Sequence, residues 1–275
     1  MILFFLPQLH THIEFCQSKG NQRATQNIST STMTKNDSKR VIPLESNPAV
    51  FTDLAYNLGL TPVLEFHDVY SLTDKDLLNF LPNPLYAVIL LFPLSKNYED
   101  YRKQQDSIND QPYNNELNNK IKWFKQTIGN GCGLYALLHI LTNLPRDLII
   151  SNSKLSNLLD SVKNGLSVDE TSLIVEELES EIKLDENFGE KGQTEAPAAS
   201  ESVDLHFITF IKGKDNHLYE LDGRRNGPID LGESVDESNI IKDPLLTEKI
   251  QFYIDNADEA NKNNFAIMAI GPSTD

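Results

Sequence analysis

The chain has 275 residues and combines 24 Lys and Arg with 40 Asp and Glu, which gives a formal net charge of −16. This acidity counts against a nucleic-acid-binding protein, because a phosphate backbone requires a basic surface. The two cysteines, Cys16 and Cys132, lie far apart in dissimilar surroundings. That excludes a disulfide framework and favours a reduced, cytoplasmic protein.

The first 39 residues predict a disordered or non-native leader. The apolar start MILFFLP is too short to span a bilayer and lacks the basic start of a signal peptide, so no membrane association is expected. The stretch at 17–36 is rich in Ser, Thr, Asn and Gln and cannot bury enough apolar surface to become ordered. We therefore expect one folded domain over residues 40–275.

The N-terminal part of this domain shows clear helix and strand signals. In chain order, the sequence predicts an extended arm at 41–44, a helix that begins at Pro48 and ends at Gly59, a strand at 65–69, and a helix from Thr73 that buries Leu77, Leu78 and Leu81. The run LYAVILLFPL is long and apolar enough for a buried strand. The polar segment 96–119 predicts a long surface loop.

The C-terminal half alternates helix and strand patterns. Amphipathic helices are predicted around 147–150, 155–163 and 168–178, followed by a loop at 185–204. The sequences DLHFITFI and HLYELD predict antiparallel strands around KGKDN, and NFAIMAI predicts a last buried strand. Together these elements predict a mixed α/β domain with one antiparallel core sheet.

Cys132 is the candidate nucleophile. It follows the Gly-rich sequence GNG and begins the apolar helix GLYALLHIL. Unpaired N–H groups and the dipole at a helix N-terminus stabilise a thiolate and lower the thiol pKa. A buried structural cysteine is the alternative, and this segment alone leaves both interpretations open.

A cysteine nucleophile needs a base, and the sequence offers six histidines. His139 lies two helical turns beyond Cys132, about 10 Å along the axis, and is better interpreted as a packed core residue. If the hairpin turn centres on Lys214, His206 lies opposite Asp222, where a carboxylate can orient the imidazole. His217 would then face Ile211 with no acid opposite, which favours a solvated residue at the edge of the turn.

Gln126 is the candidate oxyanion-hole donor. It lies six residues before Cys132, across a glycine-containing turn, and its side-chain amide can curl back towards the sulfur. A preorganised donor at this place contributes on the order of 3 kcal/mol to catalysis of acyl transfer. A solvated surface glutamine is the alternative.

The segment WFKQTIGNGCGLYALLHIL resembles the active-site signature of the ubiquitin C-terminal hydrolases, a family of papain-like cysteine deubiquitinases. The resemblance continues through LESNPAVF, GQTEAPAASESVDLHFITFI and YELDGR, covers about Arg40 to Pro272, and is greatest to the small yeast-type members. Gly131 departs from the pattern, since many relatives have Ala or Ser there. The resemblance implies an α/β (α+β) fold of the papain-like type, with a central antiparallel sheet flanked by helices.

The resemblance also implies the roles of the site residues. It makes Cys132 the nucleophile, His206 the general base and acid, Asp222 its orienting partner and Gln126 the oxyanion donor. No metal or organic cofactor is implied. These roles agree with those argued above from the residues themselves.

The implied partner is ubiquitin, cleaved at its C-terminal glycine by a monomeric enzyme. A loop at about 187–202 would cross the active site and admit only small adducts or unfolded leaving groups, and the segment 44–51 would help to dock ubiquitin. Three alternatives stay open at this point: a hydrolase of a Nedd/Rub-type modifier, a non-catalytic ubiquitin-binding module, and a Cys-His-Asp acyltransferase.

Overall fold

The computed structural model describes residues 39–108, 113–162, 166–189, 191–201, 203–235 and 239–274. The expected leader therefore lies, apart from Lys39, outside the described residues, as does Cys16. The helices of the described ranges are α1 Pro48–Leu58, α2 Lys75–Leu78, α3 Lys96–Ile108, α4 Asn115–Lys120, α5 Cys132–Leu141, α6 Lys154–Ser161, α7 Val168–Ile182 and α8 Pro244–Asp255. The strands are β1 Leu64–Asp68, β2 Ala87–Pro93, β3 Leu205–Lys212, β4 His217–Leu221, β5 Ile229–Glu233 and β6 Ala266–Pro272.

The six strands form one antiparallel sheet in the order β1-β6-β2-β3-β4-β5. This confirms the mixed α/β class and the single antiparallel sheet. Helices cover both faces, and the alternating side chains of β2 show the division. Ile89 packs in a cluster with residues of α1 and α5, whereas Leu90 and Phe92 pack with residues of α8. Strand β2 is therefore apolar throughout, because neither of its faces meets water.

Helix α5 lies against β3 and is buried along its whole length. A helix that is apolar on every side is stable only inside a core. Its N-terminal residue is Cys132, as the sequence predicts, and its burial fixes the position of that residue relative to the sheet. The Thr209 hydroxyl on β3 donates a 2.8 Å hydrogen bond to the Ala136 carbonyl of α5, which ties the two elements together.

The prediction of a loop over 96–119 is wrong, because α3 and α4 occupy most of that segment. Helix α3 buries only Tyr98, so it lacks the apolar stripe from which helices are recognised. Ion pairs along the helix support it instead: Arg102 lies 2.9 Å from Glu99 and 3.5 Å from Asp106.

Other departures are smaller. Helix α2 has only four residues, and Leu77, expected inside, is 39% exposed. The predicted helix around 147–150 is a single 3₁₀ turn, and a short π-helical turn lies within the predicted loop at 185–204. The sequence interpretation omitted β5 and α8. Strand β5 is hard to recognise because Gly232 adopts a positive φ of 117° where the pairing with β4 shifts register.

The predicted hairpin register is also wrong. The pairing Thr209↔Leu221 and Ile211↔Tyr219 centres the turn on Asp215 instead of Lys214. His206 therefore pairs with Phe92 of β2 and not directly with Asp222. Asp222 follows the last residue of β4 on the same face as His206. Asp222 is therefore a diagonal neighbour of His206. Moving the turn by one residue shifts the strand pairing by two positions, and side chains two positions apart lie on the same face of the sheet.

Among the helices of the described residues, none combines the length and the apolar character that a membrane crossing requires.

Candidate active site

Cys132 is the first residue of α5 and is 9% exposed. The turn before it depends on Asn130, whose φ of 58° is a left-handed conformation that Asn tolerates better than most residues. Burial would raise the pKa of the Cys132 thiol. The hydrogen bond and charge of His206, together with the backbone N–H groups of Phe207 and Gly133, outweigh burial and lower that pKa.

His206, near the start of β3, lies between Cys132 and Asp222. Its Nε2 is 2.8 Å from the Asp222 Oδ1, so the nitrogen that faces the thiol is Nδ1. Burial would lower the pKa of His206, but the charge and hydrogen bond of Asp222 and the contact with Cys132 raise it to about 9. The lowered thiol pKa and the raised imidazole pKa together favour a thiolate–imidazolium pair.

Asp222 is held by four donors at the end of β4. Oδ1 accepts hydrogen bonds from His206 and from the Arg224 backbone N–H at 2.8 Å, and Oδ2 accepts one from the Tyr98 hydroxyl at 2.7 Å. The Trp123 indole N–H donates to the Asp222 backbone carbonyl at 2.9 Å. Burial would raise the pKa of Asp222. The charge and hydrogen bond of His206, followed by the bonds from the Arg224 N–H and the Tyr98 hydroxyl, hold that pKa well below its usual range. The carboxylate is thus fixed and ionised.

Gln126 lies in the same cavity as Cys132 and His206. Its backbone N–H donates to the Gly223 carbonyl at 2.8 Å, next to Asp222, and a Cβ at Gly223 would approach the Gln126 Cβ to 2.8 Å. The side-chain Nε2 donates to the Ile128 carbonyl at 3.1 Å. An amide nitrogen carries two hydrogens, so this bond orients the group and leaves a second donor for another acceptor.

The cavity lined by Cys132, His206 and Gln126 has a volume of about 580 Å³. One wall is the segment Pro43–Ser46, and another is formed by Gly192, Thr194, Ala196 and Pro197. The latter residues belong to the long connection between α7 and β3. We call the described part of it, residues 191–201, the crossover loop, because it lines the cavity that also contains Cys132 and belongs to the segment that the resemblance expects to cross the site.

Glu45 fastens the first half of the crossover loop. Its carboxylate accepts hydrogen bonds from the Gln193 N–H at 3.0 Å, the Thr194 N–H at 2.8 Å and the Thr194 hydroxyl at 2.5 Å. Burial would raise the pKa of Glu45, but the hydrogen bonds from Thr194, Gln193 and Asn47 lower it to about 2. The carboxylate therefore stays charged over the whole physiological range of pH.

Arg40 and Asn130 fasten the second half of the crossover loop. The Asn130 side-chain N–H₂ donates to the carbonyls of Ala199 and Glu201, both at 3.0 Å. Arg40 donates to the same two carbonyls at 3.0 and 3.1 Å. The residue that shapes the turn before Cys132 thus also holds the crossover loop that lines the site.

The structure places the remaining histidines of the folded domain outside the cavity. His139 is buried, and its Nε2 accepts a 3.0 Å hydrogen bond from the Phe124 N–H, which confirms the core interpretation. His67 contacts the Pro272 carbonyl at the edge of the sheet. His217 lies partly exposed beside the hairpin turn, which agrees with the solvated interpretation, and its Nδ1 is 2.9 Å from Asp230 on the omitted strand β5.

Sequence reasoning missed Tyr98 and the roles of Glu45 and Arg40. Tyr98 lies on α3, in the segment whose polar sequence predicts a loop, and no local pattern connects it with Asp222. Glu45 lies within the segment LESNPAVF, but its contacts with the crossover loop join residues that are 148 and 149 positions apart in the chain. Within the described ranges, no group of three or more His, Cys, Asp or Glu residues is arranged to hold a metal ion.

The sequence profile of the family described as "Ubiquitin carboxyl-terminal hydrolase, family 1" matches residues 41–255, most of the chain. Ubiquitin carboxyl-terminal hydrolase YUH1 of Saccharomyces cerevisiae is 36% identical over 245 residues, which are 86% of this chain and 98% of the yeast protein. Ubiquitin carboxyl-terminal hydrolase 3 of Arabidopsis thaliana is 34% identical over 239 residues, 86% of this chain and 96% of the plant protein.

A solved structure with the same fold is the catalytic domain of Trichinella spiralis UCH37 bound to ubiquitin vinyl methyl ester. It superposes with a TM-score of 0.64 at 21% identity, and the match covers 85% of this chain and 96% of that one. At this identity the match speaks for the fold alone, and it agrees with the papain-like architecture expected from the sequence.

Proposed function

The chain belongs to family 1 of the ubiquitin carboxyl-terminal hydrolases, and we propose that Cys132, His206, Asp222 and Gln126 carry out its hydrolysis. As a member of this family the protein is a cysteine-type hydrolase of bonds at the C-terminus of ubiquitin. The observation that carries the residue assignment is the continuous contact from Cys132 through His206 to Asp222, behind the cavity that Cys132 and His206 line.

The reaction begins with the thiolate–imidazolium pair. The Cys132 sulfur attacks the carbonyl carbon of the last ubiquitin glycine and forms a tetrahedral oxyanion. As the oxyanion collapses, the bond to the leaving amine breaks and His206 gives that amine its Nδ1 proton. The acyl group remains on Cys132 as a thioester.

Hydrolysis of the thioester completes the cycle. Neutral His206 takes a proton from a water molecule, and the resulting hydroxide adds to the thioester carbonyl. Collapse of the second oxyanion releases the ubiquitin carboxylate and restores the thiolate beside imidazolium. Asp222 keeps the imidazole in one orientation and stabilises its positive charge in both halves of the reaction.

Two N–H donors are placed to stabilise the oxyanions. The backbone N–H of Cys132 lies at the start of α5, where no intrahelical acceptor exists for it. The Gln126 amide is oriented by its bond to the Ile128 carbonyl. Each such donor contributes about 3 kcal/mol when it is aimed at the developing charge.

The crossover loop selects the leaving group. With Thr194 tied to Glu45 and Ala199 tied to Asn130, the leaving group must pass beneath a short segment of chain. Small adducts, short peptides and unfolded extensions fit this condition. A tail of two glycines suits the approach to Cys132, because glycine has no side chain to obstruct it. A Nedd/Rub-type modifier with a similar tail is the alternative substrate.

Labelling with an electrophile on the C-terminus of ubiquitin tests the assignment. Mass spectrometry should map one adduct to Cys132, and Cys132→Ala should abolish both the adduct and the hydrolysis of a C-terminal fluorogenic ubiquitin conjugate. An adduct on another residue, or full turnover by Cys132→Ala, would refute the nucleophile. A well-folded wild-type chain that binds ubiquitin without turnover would instead be a binding module.

Parallel conjugates of ubiquitin and of a Nedd/Rub-type modifier decide the substrate. We expect the higher kcat/KM for ubiquitin, and the reverse order would reassign it. We further propose that the enzyme works as a monomer in the cytoplasm. Sedimentation of the full chain, and localisation of a tagged copy in cells, test these two points.

A further inference from the structure

A second, larger cavity lies at the opposite ends of α5 and β3 from Cys132 and His206. Its volume is about 1040 Å³. Residues 142–146, at and after the end of α5, and residues 211–214, at the end of β3, form two of its walls. Helix α5 has ten residues and is therefore about 15 Å long. This cavity is thus separate from the active site.

The lining of this distal cavity is basic, although the chain carries a net charge of −16. Asp and Glu are absent from its lining, among the residues that the structure describes. Four separate segments of chain supply its cations: Lys120, Lys122, Arg146, Lys212, Lys214 and Lys242. Because the cations come from four segments, they surround one volume. A binding site for an extended peptide would instead have its cations arranged along a line.

Several of these cations lack a carboxylate of their own. Lys120 lies 3.6 Å from Asp215, and Arg146 lies 3.4 Å from Asp160. Within the described part of the chain, no carboxylate lies within 4.0 Å of Lys122, Lys214 or Lys242. An acidic protein has many carboxylates that could neutralise a cluster of lysines. Because this cluster lacks them, we expect that an anion from outside the chain binds there.

Lys122 shows the electrostatic cost of this arrangement. Its side chain is partly buried, and its ammonium group has one neutral acceptor, the Asn118 Oδ1 at 3.4 Å. Burial, and then the charge of Lys214, lower the pKa of Lys122. An anion bound between these two lysines would remove the repulsion and favour the charged form of Lys122.

The floor of the distal cavity is apolar. We use the word floor for the apolar part of the lining, which consists of Leu85, Tyr86, Leu144, Leu159 and Ile211. Cavities of about 300–1,000 Å³ with an apolar lining and a few convergent polar groups are typical of small-molecule sites. The lysines and the floor together suit a ligand that combines concentrated negative charge with an apolar face.

We propose that the distal cavity binds a multiply charged phosphate compound that carries a flat apolar group, the chemistry of a nucleoside polyphosphate. Each phosphate offers several acceptor oxygens to surrounding ammonium groups, which suits cations from four chain segments. The base would lie on the floor formed by Tyr86, Leu144 and Ile211. An acidic peptide spreads single charges along a line and matches this arrangement less well.

Calorimetric titration of the full chain with ATP, in EDTA and about 0.15 M salt, tests the proposal. We expect a dissociation constant below about 100 μM. Inorganic tripolyphosphate should bind at least tenfold more weakly, since it cannot use the floor. Equal affinity for ATP and tripolyphosphate, tighter binding of a Glu-rich peptide, or no binding of ATP would each overturn the proposal.

Matched variants locate the site. Lys122→Met and Lys214→Glu should each weaken ATP binding at least tenfold. Lys214 is exposed in the hairpin turn, so its replacement keeps the fold even if Lys122→Met does not. Lys262→Glu makes the same charge change as Lys214→Glu on an exposed residue outside the cavity, and we expect less than a twofold effect. If Lys262→Glu weakens binding as much as Lys214→Glu, the attraction is general and the distal cavity is not the site.

Discussion

Two histidine–aspartate pairs lie on neighbouring strands of this sheet. His206 and Asp222 are 2.8 Å apart, and His217 and Asp230 are 2.9 Å apart. In both pairs the carboxylate raises the pKa of the imidazole. Their surroundings differ. The side chains of the first pair are 3% and 0% exposed, whereas those of the second are 36% and 49% exposed.

A histidine–aspartate pair by itself does not make a catalytic site. Water screens the charges of His217 and Asp230, and no thiol of the described residues lies beside them. Around His206, burial strengthens the hydrogen bonds and charge interactions of the imidazole. Cys132 contacts the ring nitrogen that is not bonded to Asp222. The second pair therefore provides an internal control for each experiment on the first.

Replacement of the imidazole should give the largest difference in kcat between the two pairs. We expect His206→Gln to lower kcat by about 10⁵- to 10⁶-fold, because the thiol loses its base and the leaving amine loses its acid. His217→Gln should leave kcat within about twofold. Steady-state hydrolysis of a fluorogenic ubiquitin conjugate measures both, and a large loss in His217→Gln would contradict the assignment of the base.

Neutralising the carboxylate should have the next largest effect. Asp222→Asn should lower kcat by about 10⁴-fold while ubiquitin binding persists, since the imidazolium loses its charged partner. Asp230→Asn, the matched change on the surface, should have no measurable effect on kcat. Undiminished turnover by Asp222→Asn would remove Asp222 from the catalytic group.

The oxyanion forms only beside Cys132, next to the His206–Asp222 pair. Replacing Gln126 therefore tests a function that the His217–Asp230 pair lacks. Gln126→Ala should lower kcat by about 10²- to 10³-fold with little change in KM, because its amide acts in the transition state. A rise in KM at constant kcat would instead make Gln126 a substrate-binding residue.

The pH profile tests the charge state of the buried pair. Activity requires a thiolate on Cys132, whose pKa is lowered, and a proton on His206, whose pKa is raised to about 9. The active form is therefore present at neutral pH and is lost as pH rises through about 9. We expect kcat/KM to fall about tenfold per pH unit beyond that point. Asp222→Asn should move this alkaline limb to lower pH, and Asp230→Asn should not move it.

Removing a single hydroxyl should have the smallest effect. Tyr98→Phe leaves the buried Asp222 Oδ2 without its 2.7 Å donor, so the free energy of unfolding should fall by about 1–3 kcal/mol and kcat by less than tenfold. Tyr219→Phe removes a 2.9 Å bond to Asp215, which is partly exposed, and should cost less than about 1 kcal/mol. Urea denaturation compares the two, and equal losses would show that burial of Asp222 adds nothing.

The site was more predictable from the sequence than the fold around it. Cys132 and Gln126 lie within one segment whose glycines and apolar helix can be recognised locally. The sequence predicts that His206 and Asp222 lie side by side, and they do, although not as a directly opposed pair. The predicted turn was displaced by one residue, yet both side chains stayed on the same face of the sheet.

The unpredicted parts depend on contacts that no local pattern encodes. Helix α3 is stabilised by ion pairs instead of an apolar face, so Tyr98, which supports Asp222, was placed in a loop. Glu45 and Arg40 act on the crossover loop across about half of the chain. Such contacts follow from how the elements pack together, which the order of residue types does not reveal.

The two fastenings of the crossover loop have one more consequence for the proposed function. Between Thr194, tied to Glu45, and Ala199, tied to Asn130, five peptide links span at most about 18 Å. Together with the domain beneath it, this segment forms a closed ring. A ring admits a leaving group according to whether the leaving group has a free chain end. A leaving group with a free end can be drawn through, whereas one closed into a circle by a crosslink cannot, even if both share the same sequence at the scissile bond.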